Sequence, residues 1–334
     1  MEWKTYYRDE FSSPEAGPFL ERQFEAHSED PLLDRLVDRG AILSFPHTSL
    51  FYGGDAHARV VSSLYRTQID RVIALGVFHV WGLDESRDRY AEAMDPHGEL
   101  GRRRAAFDAL RGGFLAASES CDTPFGPVEL TRPAGEEPLR RDVGSLLAAE
   151  YSLDTFVTLL RYYGVTRQAP LPELVAVYVG MTRNPVDGSF RAAAELATSL
   201  SKLRNGKTAV VATGDLTHYG TGYTPDDLLA GRPTDLKTLE PLLQGEVEAA
   251  LELVVRDKDY AGAFPILDRR LNNDQRYLLP VISELLGPGA TSKVLDFRLS
   301  DYATINRVAP PCFVASSLVA HVPDADFTRP PRNR

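Results

Sequence analysis

The apolar positions of the chain are grouped in short, nearly continuous runs. Three of these runs lead to a histidine: residues 41–46 to His47, residues 71–78 to His79, and residues 208–217 to His218. A short apolar run without alternation is typical of a strand buried on both faces of a sheet. In an open α/β sheet, ligands bind just outside the carboxyl ends of the strands. We therefore predict that the three histidines converge on one site.

Amphipathic stretches alternate with the apolar runs. A helix over 55–65, between the first two strands, would make a β-loop-α-β unit with parallel strands. Further strands are predicted at 174–180, 294–299 and 312–320, and further helices at 102–117, 189–203, 236–271 and 274–286, with one helix or two in succession over 141–163. This alternation favours a single α/β domain with a mixed, mostly parallel central sheet flanked by helices.

The two ends of the chain have a different pattern. Residues 1–40 are expected to be an N-terminal approach segment, with short helices starting near Ser13 and Asp30. The α/β domain is expected over 41–325, and the tail 326–334 is expected to be disordered. Within the domain, the polar stretches 48–54 and 84–101 are predicted to be irregular.

Composition and charge narrow the class of protein. The chain has 334 residues and a formal net charge of -10. This charge argues against nucleic acid or an anionic membrane as the main partner, because both require clustered Lys and Arg. The first residues lack a signal-peptide apolar core, and no apolar run approaches membrane-spanning length, so we expect a cytoplasmic protein. The oligomeric state stays open, a homodimer included.

The residue types favour metal chemistry with nitrogen and oxygen ligands. Only Cys121 and Cys312 are present, too few for a disulfide framework or a thiolate-only zinc site, and both are expected to be reduced structural thiols. Neutral imidazole binds iron, zinc, copper or nickel, and two histidines plus one oxygen ligand make the facial triad of non-haem Fe(II) oxygenases. A single histidine of this kind is more often a hydrogen-bonded structural residue. Their shared position after strands is what favours ligation.

Five motifs, in chain order, resemble those of a known family. They are Ser44 to Gly54, similar to a Pro-His-Ala-Gly loop; Leu75 to Val80, similar to a Leu-Gly-Pro-Ser-His-His turn; Thr123 to Gly126; Glu150 to Asp154; and Gly214 to Gly220. Together they resemble the Memo-like family, which is similar in fold to class III extradiol ring-cleaving dioxygenases. The resemblance covers roughly residues 40 to 322.

The resemblance implies a set of metal ligands. His47 and His79 would bind the metal, and His218 would match the acid-base histidine of the dioxygenases. The third ligand is a Cys in Memo-like proteins and a Glu in the dioxygenases, at the start of a late helix. Here the corresponding stretch, 270–276, has no Cys. Asp274 is the favoured oxygen ligand and Asn272 the weaker one, and helix capping is the alternative role for either.

Two positions depart from the family pattern. Tyr151 stands where the family has His, and Val80 replaces the second His of the His-His pair. Tyr151 is expected either to donate a hydrogen bond to substrate or bound oxygen or to be a core residue of a helix. Asp215 would orient a histidine or simply end a strand. Lesser candidates for the site are His57, Glu150 and Tyr219.

These observations predict a mononuclear non-haem Fe(II)-dependent oxygenase. Its substrate would be a small aromatic molecule, such as a catechol or aminophenol, or an amino-acid-derived molecule, and O2 would be the co-substrate. His218 would act as general base and then acid. The alternative is a non-catalytic Memo-like protein that binds a metal or a peptide.

Overall fold

The computed structural model describes residues 3–116, 118–133, 139–141 and 146–323. The α-helices are α1 (Trp3–Phe11), α2 (Ala16–Ala26), α3 (Pro31–Asp38), α4 (Leu50–Arg66), α5 (Asp84–Met94), α6 (Leu100–Leu110), α7 (Asp154–Thr166), α8 (Arg191–Ser201), α9 (Asp226–Leu229), α10 (Leu236–Leu251), α11 (Tyr260–Pro265), α12 (Leu279–Leu286) and α13 (Ala303–Asn306). Two π-helical segments, Glu252–Arg256 and Ile266–Arg270, and a 3-10 helix, Asp274–Tyr277, lie between α10 and α12. The predicted tail, 326–334, lies outside the described residues.

The strands form one large mixed sheet and a small hairpin. They are β1 (Ile42–Phe45), β2 (Arg71–Val77), β3 (Gly113–Leu115), β4 (Ser120–Cys121), β5 (Val128–Glu129), β6 (Leu139–Arg141), β7 (Glu173–Val179), β8 (Thr208–Thr213), β9 (His218–Gly220), β10 (Thr291–Asp301) and β11 (Cys312–Val322). The large sheet has the order β10-β11-β1-β8-β2-β7-β3-β6, and β9 pairs with β11. Strands β1, β8, β2 and β7 are parallel, whereas β11 and β3 pair antiparallel with β1 and β7. The predicted fold class, α/β with a mixed and largely parallel sheet, is confirmed.

The central strands are apolar throughout because helices cover both faces of the sheet. Along β2, Val72 and Ala74 pack into one core cluster with α4 and α7, and Ile73 and Leu75 pack into another with α8, α10 and α12. Successive side chains of a strand point to opposite faces, so both sets are buried. This two-sided burial explains the unbroken apolar run that the sequence displays.

Several predicted boundaries were wrong. Helix α4 begins at Leu50 rather than at 55, because the Ser49 hydroxyl accepts a hydrogen bond from the Phe51 amide and caps it. The stretch 84–101, predicted to be irregular, contains the whole of α5 and the start of α6. The predicted helix 102–117 ends at Leu110 and is followed by β3, and the predicted helix 141–163 begins only at Asp154. Part of that last stretch, 142–145, lies outside the described residues.

The N-terminal segment has more structure than predicted. Helices α2 and α3 form as expected, and the Asp30 side chain caps α3 by accepting from the Leu33 amide. Helix α1 was not predicted, and it packs against α7 and α4. Among the helices of the described residues, none has the length and apolar character needed to cross a membrane.

Candidate metal centre

The carboxyl ends of three adjacent parallel strands carry the first side chains of the site. His47 lies two residues after β1, His79 two residues after β2, and Asp215 two residues after β8. Strand β8 lies between β1 and β2 in the sheet, so the three ends are neighbours. The expected convergence of His47 and His79 therefore follows from the sheet order.

His218 reaches the same place by a different route from the one predicted. Strand β8 already ends at Thr213, and His218 is the first residue of β9 rather than the residue after a parallel strand. Its amide donates to the Leu271 carbonyl at 2.9 Å, and β9 pairs with β11. The turn 214–217 thus folds back over the strand ends and carries His218 toward Asp215.

Asp274 is the first residue of the 3-10 helix, and its neighbour caps that helix. The Asn273 side chain accepts from the Gln275 amide at 2.7 Å, which leaves the Asp274 carboxylate free to face the histidines. The Asp274 amide donates to the Asp215 carbonyl at 3.0 Å. Gln275, fully buried, also donates through Nε2 to the Gly214 carbonyl at 2.6 Å. These bonds fix Asp274 against the end of β8.

One carboxylate oxygen lies at the centre of the cluster. Asp274 Oδ2 is 3.3 Å from His47 Nε2, 3.6 Å from His218 Nε2 and 4.0 Å from His79 Nε2. A second oxygen, Asp215 Oδ2, is 3.8 Å from His47 Nε2 and 3.7 Å from His218 Nε2. Three imidazole nitrogens and two carboxylates thus face one small volume.

The orientation of His79 is fixed by Glu150. The Glu150 carboxylate accepts from His79 Nδ1 at 3.0 Å and from the His79 amide at 2.8 Å. It also accepts from the amides of Tyr151 and Ser152. Because Nδ1 carries the proton, the lone pair of His79 lies on Nε2, which faces Asp274. Metal-ligating histidines usually donate their other ring nitrogen to a carboxylate or a carbonyl in this way.

The absence of a side chain at one position of β2 leaves room for the segment that carries Glu150. Gly76, on β2, lies against the segment that carries Glu150. A Cβ atom at Gly76 would lie 2.7 Å from Leu153 Cγ and from Ser152 Oγ. The Ser152 hydroxyl donates to the Val77 carbonyl at 2.6 Å, which ties the segment to the end of the strand.

His218 is oriented in the same sense, and His47 is not. His218 Nδ1 donates to the Asn272 carbonyl at 2.9 Å, so its Nε2 is the free nitrogen that faces the two carboxylates. Among the described residues, His47 Nδ1 is buried without a hydrogen-bond partner. The Tyr151 ring meets the ring of His47 edge-on, with the centroids 5.6 Å apart.

The buried charges act on one another. Burial alone would lower the pKa of His47, but the carboxylates of Asp215 and Asp274 raise it to about 9. Burial would raise the pKa of Asp274, but His218 and His47 lower it. Burial raises the pKa of Asp215. Without a metal, His47 and Asp274 are therefore a buried ion pair, and a cation that binds there displaces a proton.

The cluster opens into a cavity of about 440 Å³. The aromatic side chains that line it are Trp3, Tyr7, Trp81, Tyr151, Tyr223 and Tyr302. The polar ones, besides the histidines and carboxylates, include Thr221, Asn272 and Asn306. A volume of this size accommodates a small ligand, and the rings provide flat apolar walls.

The donor set fits a transition metal. His47, His79 and Asp274 form one buried group whose ligand atoms lie within 4.8 Å of one another, and Asp215, His218 and Asp274 form a second such group. Two ligands at about 2.1 Å from one ion are roughly 3.0 to 3.4 Å apart when they are adjacent, and about 4.2 Å when opposite. Asp215 Oδ1 is buried and, among the described residues, has no partner. Either group could hold a metal ion.

The lesser candidates lie elsewhere, except for Glu150. The His57 ring packs against Phe45 and its Nδ1 contacts the Gly53 carbonyl, and burial lowers its pKa to about 4. Tyr219 donates to the Pro233 carbonyl. Neither side chain lines the cavity. The rings of Trp3, Tyr7, Trp81, Tyr223 and Tyr302 were not predicted, and only Trp81 and Tyr223 had a signal, since they lie near His79 and His218 in sequence.

No known protein-family model matches the chain, and no curated protein matches it significantly.

Proposed function

We propose that the chain is a mononuclear non-haem Fe(II)-dependent oxygenase that acts on a small aromatic substrate with O2, related to the Memo-like and class III extradiol proteins. The observation that carries this proposal is the group of His47, His79 and Asp274 at a cavity walled by aromatic rings. Two histidines and one carboxylate are the facial ligand set of Fe(II) oxygenases. A catechol or an aminophenol matches both the flat walls and the adjacent polar groups.

In this proposal the metal is held by His47 and His79 through Nε2 and by Asp274 through Oδ2. Bound Fe(II) would supply open coordination positions and electron transfer for the reaction with O2. Glu150 supports metal binding indirectly, because its carboxylate keeps the proton of His79 on Nδ1 and leaves the Nε2 lone pair free.

His218 is the proposed acid-base residue. Its Nδ1 proton is committed to the Asn272 carbonyl, so Nε2 can accept a proton from a substrate hydroxyl and return it later. Asp215, at 3.7 Å from that nitrogen, stabilises the imidazolium that forms. Tyr151, parallel to His79 with ring centroids 4.8 Å apart, excludes water from one side of the ligand.

Anaerobic reconstitution tests the proposal. The metal-free protein is loaded with Fe(II), the iron per chain is counted, and oxygen uptake is measured with a panel of catechols and aminophenols. We expect one iron per chain and oxygen uptake with at least one compound. His47→Ala and His79→Ala should each abolish stoichiometric iron binding, whereas His97→Ala, at an exposed histidine, should not change it.

Two results would contradict the proposal in different ways. Undiminished iron binding in either variant would remove that histidine from the ligand set. Stoichiometric iron without oxygen uptake from any compound would instead favour the alternative, a non-catalytic metal- or peptide-binding protein of the same fold.

A further inference from the structure

A column of aromatic rings runs from the N-terminal helix to the cluster of histidines. Trp3 and Tyr7 are four residues apart, so they lie on the same face of α1. Their rings stack, with centroids 5.6 Å apart and an interplanar angle of 23°. The ring centroids of Tyr7 and Tyr151 are 5.5 Å apart. The Tyr151 ring stacks on the His79 ring, with centroids 4.8 Å apart and an interplanar angle of 15°. All four rings line the cavity.

Polar contacts fix α1 to two segments of the site. Lys4 Nζ donates to the Glu150 carbonyl at 3.0 Å, which joins α1 to the segment that orients His79. The Glu10 carboxylate accepts from the Leu50 amide at 2.8 Å and from the Ser49 hydroxyl, just after His47. These hydrogen bonds fix the position of helix α1, and therefore of the Trp3 and Tyr7 rings, relative to His47 and His79.

We propose that Trp3 and Tyr7 are specificity-determining residues that select a planar aromatic ring. The substrate ring would lie against this column while its polar substituents reach His47, His79 and Asp274. This inference rests on the proposed function, because it takes the metal group as the anchor for those substituents. It assigns the recognition of the ring to α1, outside the segment 41–325 in which the site was expected.

Packing alone is the competing role for these rings, and the two roles differ in what they affect. Tyr7 is only 5% exposed, so part of its contribution is to the core. Phe11, in the same helix, does not line the cavity, and its ring packs edge-on against Phe125. Phe11→Leu is therefore a matched control: an aromatic ring replaced by leucine, in the same helix, away from the cavity.

A pair of ligands that share one chelating group isolates the contribution of the ring. Acetohydroxamate and benzohydroxamate bind a metal through the same atoms, and only the second has a phenyl ring. The protein is loaded with Zn(II), so no oxidation occurs, and binding is followed by tryptophan fluorescence. The chain has two tryptophans, Trp3 and Trp81, and both line the cavity, so the whole signal comes from the site.

We expect Tyr7→Leu and Trp3→Leu each to weaken benzohydroxamate binding by roughly 3- to 10-fold, the range of an aromatic pair. Acetohydroxamate binding should stay unchanged. Tyr7→Phe, which keeps the ring, should bind both ligands like the original protein, as should Phe11→Leu. Circular dichroism checks that each variant is folded.

Other results would overturn the inference. Equal losses for both ligands would mean that Tyr7 and Trp3 support the metal group and do not recognise the ring. No loss for either would mean that the ring binds elsewhere in the cavity. If the chain binds no Zn(II) at all, the proposed function fails and the inference fails with it, whereas the first two results leave the proposed function intact.

Discussion

Among single residues, Asp274 is expected to contribute most to Fe(II) affinity, because its Oδ2 atom faces all three histidines. We predict that Asp274→Ala weakens Fe(II) binding by more than the 10- to 100-fold that loss of an outer contact costs. Asn272→Gly should weaken it much less, since Asn272 acts through its carbonyl, which glycine retains. Glycine is the suitable control because Asn272 has a φ of 44°. Chelator competition measures both affinities.

A result of equal losses at the two positions would contradict this assignment. The sequence alone left Asp274 and Asn272 open, with helix capping as the other role. Sequence could not decide because either residue type caps helices well. The structure assigns the cap to Asn273, a residue that neither alternative included.

A single substitution distinguishes an acid-base role of His218 from metal ligation. His218→Gln should retain iron and lose oxygen uptake by roughly 10²- to 10⁴-fold, as expected for a general acid-base residue. The test is needed because His218 Nε2 lies 3.6 Å from Asp274 Oδ2, a distance that two ligand atoms of one metal ion could also have. Iron content and oxygen uptake are measured on the same sample. Loss of the iron would make His218 a ligand of the second buried group.

The segment that precedes α7 decides how His79 is presented. The Glu150 side chain accepts four hydrogen bonds, and although burial would raise its pKa, the neighbouring His79 lowers it to about 2. In Glu150→Gln, one carboxylate oxygen becomes an NH2 group that meets a donor, so His79 loses its fixed orientation. We predict a 10- to 100-fold loss of Fe(II) affinity.

Glu85→Gln, at an exposed position of α5, is the matched control and should leave the affinity unchanged. An unchanged affinity in Glu150→Gln as well would show that the backbone alone positions His79. Thermal unfolding of the metal-free variants separates a loss of orientation from a general loss of stability.

Sequence reasoning was most successful for the buried strands. Continuous apolar runs predicted β1, β2, β7 and β8, because burial on both faces removes all polar positions from a strand. It failed where local signals conflict with tertiary contacts. The stretch 84–94 is rich in charge and was predicted to be irregular, yet it forms α5, whose only buried side chains are Ser86 and Ala93. Such a helix has almost no apolar face to detect.

The site as a whole could be predicted only in part. Three residues near strand ends were identifiable, but the sheet order was not, since β8 lies between β1 and β2 although it follows them by more than a hundred residues. The approach of α1 to the cavity was likewise hidden. A helix with Trp3 and Tyr7 on one face has the same pattern whether that face meets the core or a ligand.

A buried polar chain connects the far edge of the sheet to the site. Ser292 Oγ donates to His321 Nδ1 at 2.7 Å, His321 Nε2 donates to Ser44 Oγ at 2.9 Å, and Ser44 Oγ donates to Gln275 Oε1 at 3.1 Å. Gln275 is the residue after Asp274. Because the Ser44 hydroxyl proton is donated to Gln275, His321 Nε2 must carry a proton and donate it to Ser44 Oγ. The imidazole is fully buried, so protonation of Nδ1 would place a charge in the core.

The stability of the molecule should therefore depend on pH through His321. Burial lowers the pKa of His321 to about 3, below the ordinary value of 6.5, so below pH 6.5 the unfolded chain binds a proton that the folded chain does not. The contribution of His321 to the free energy of unfolding is therefore at its full value above pH 6.5 and decreases as the pH falls toward 3. Between pH 6.5 and 4.5 this group alone should lower the free energy of unfolding by about 2 kcal/mol. Urea unfolding of the metal-free protein at several pH values measures it.

His321→Gln should be less stable at pH 7 but lose less stability on acidification, and His97→Gln should follow the original protein throughout. If the free energy of unfolding of His321→Gln and of the original protein changed with pH in the same way, the pKa of His321 would not be lowered in the folded state.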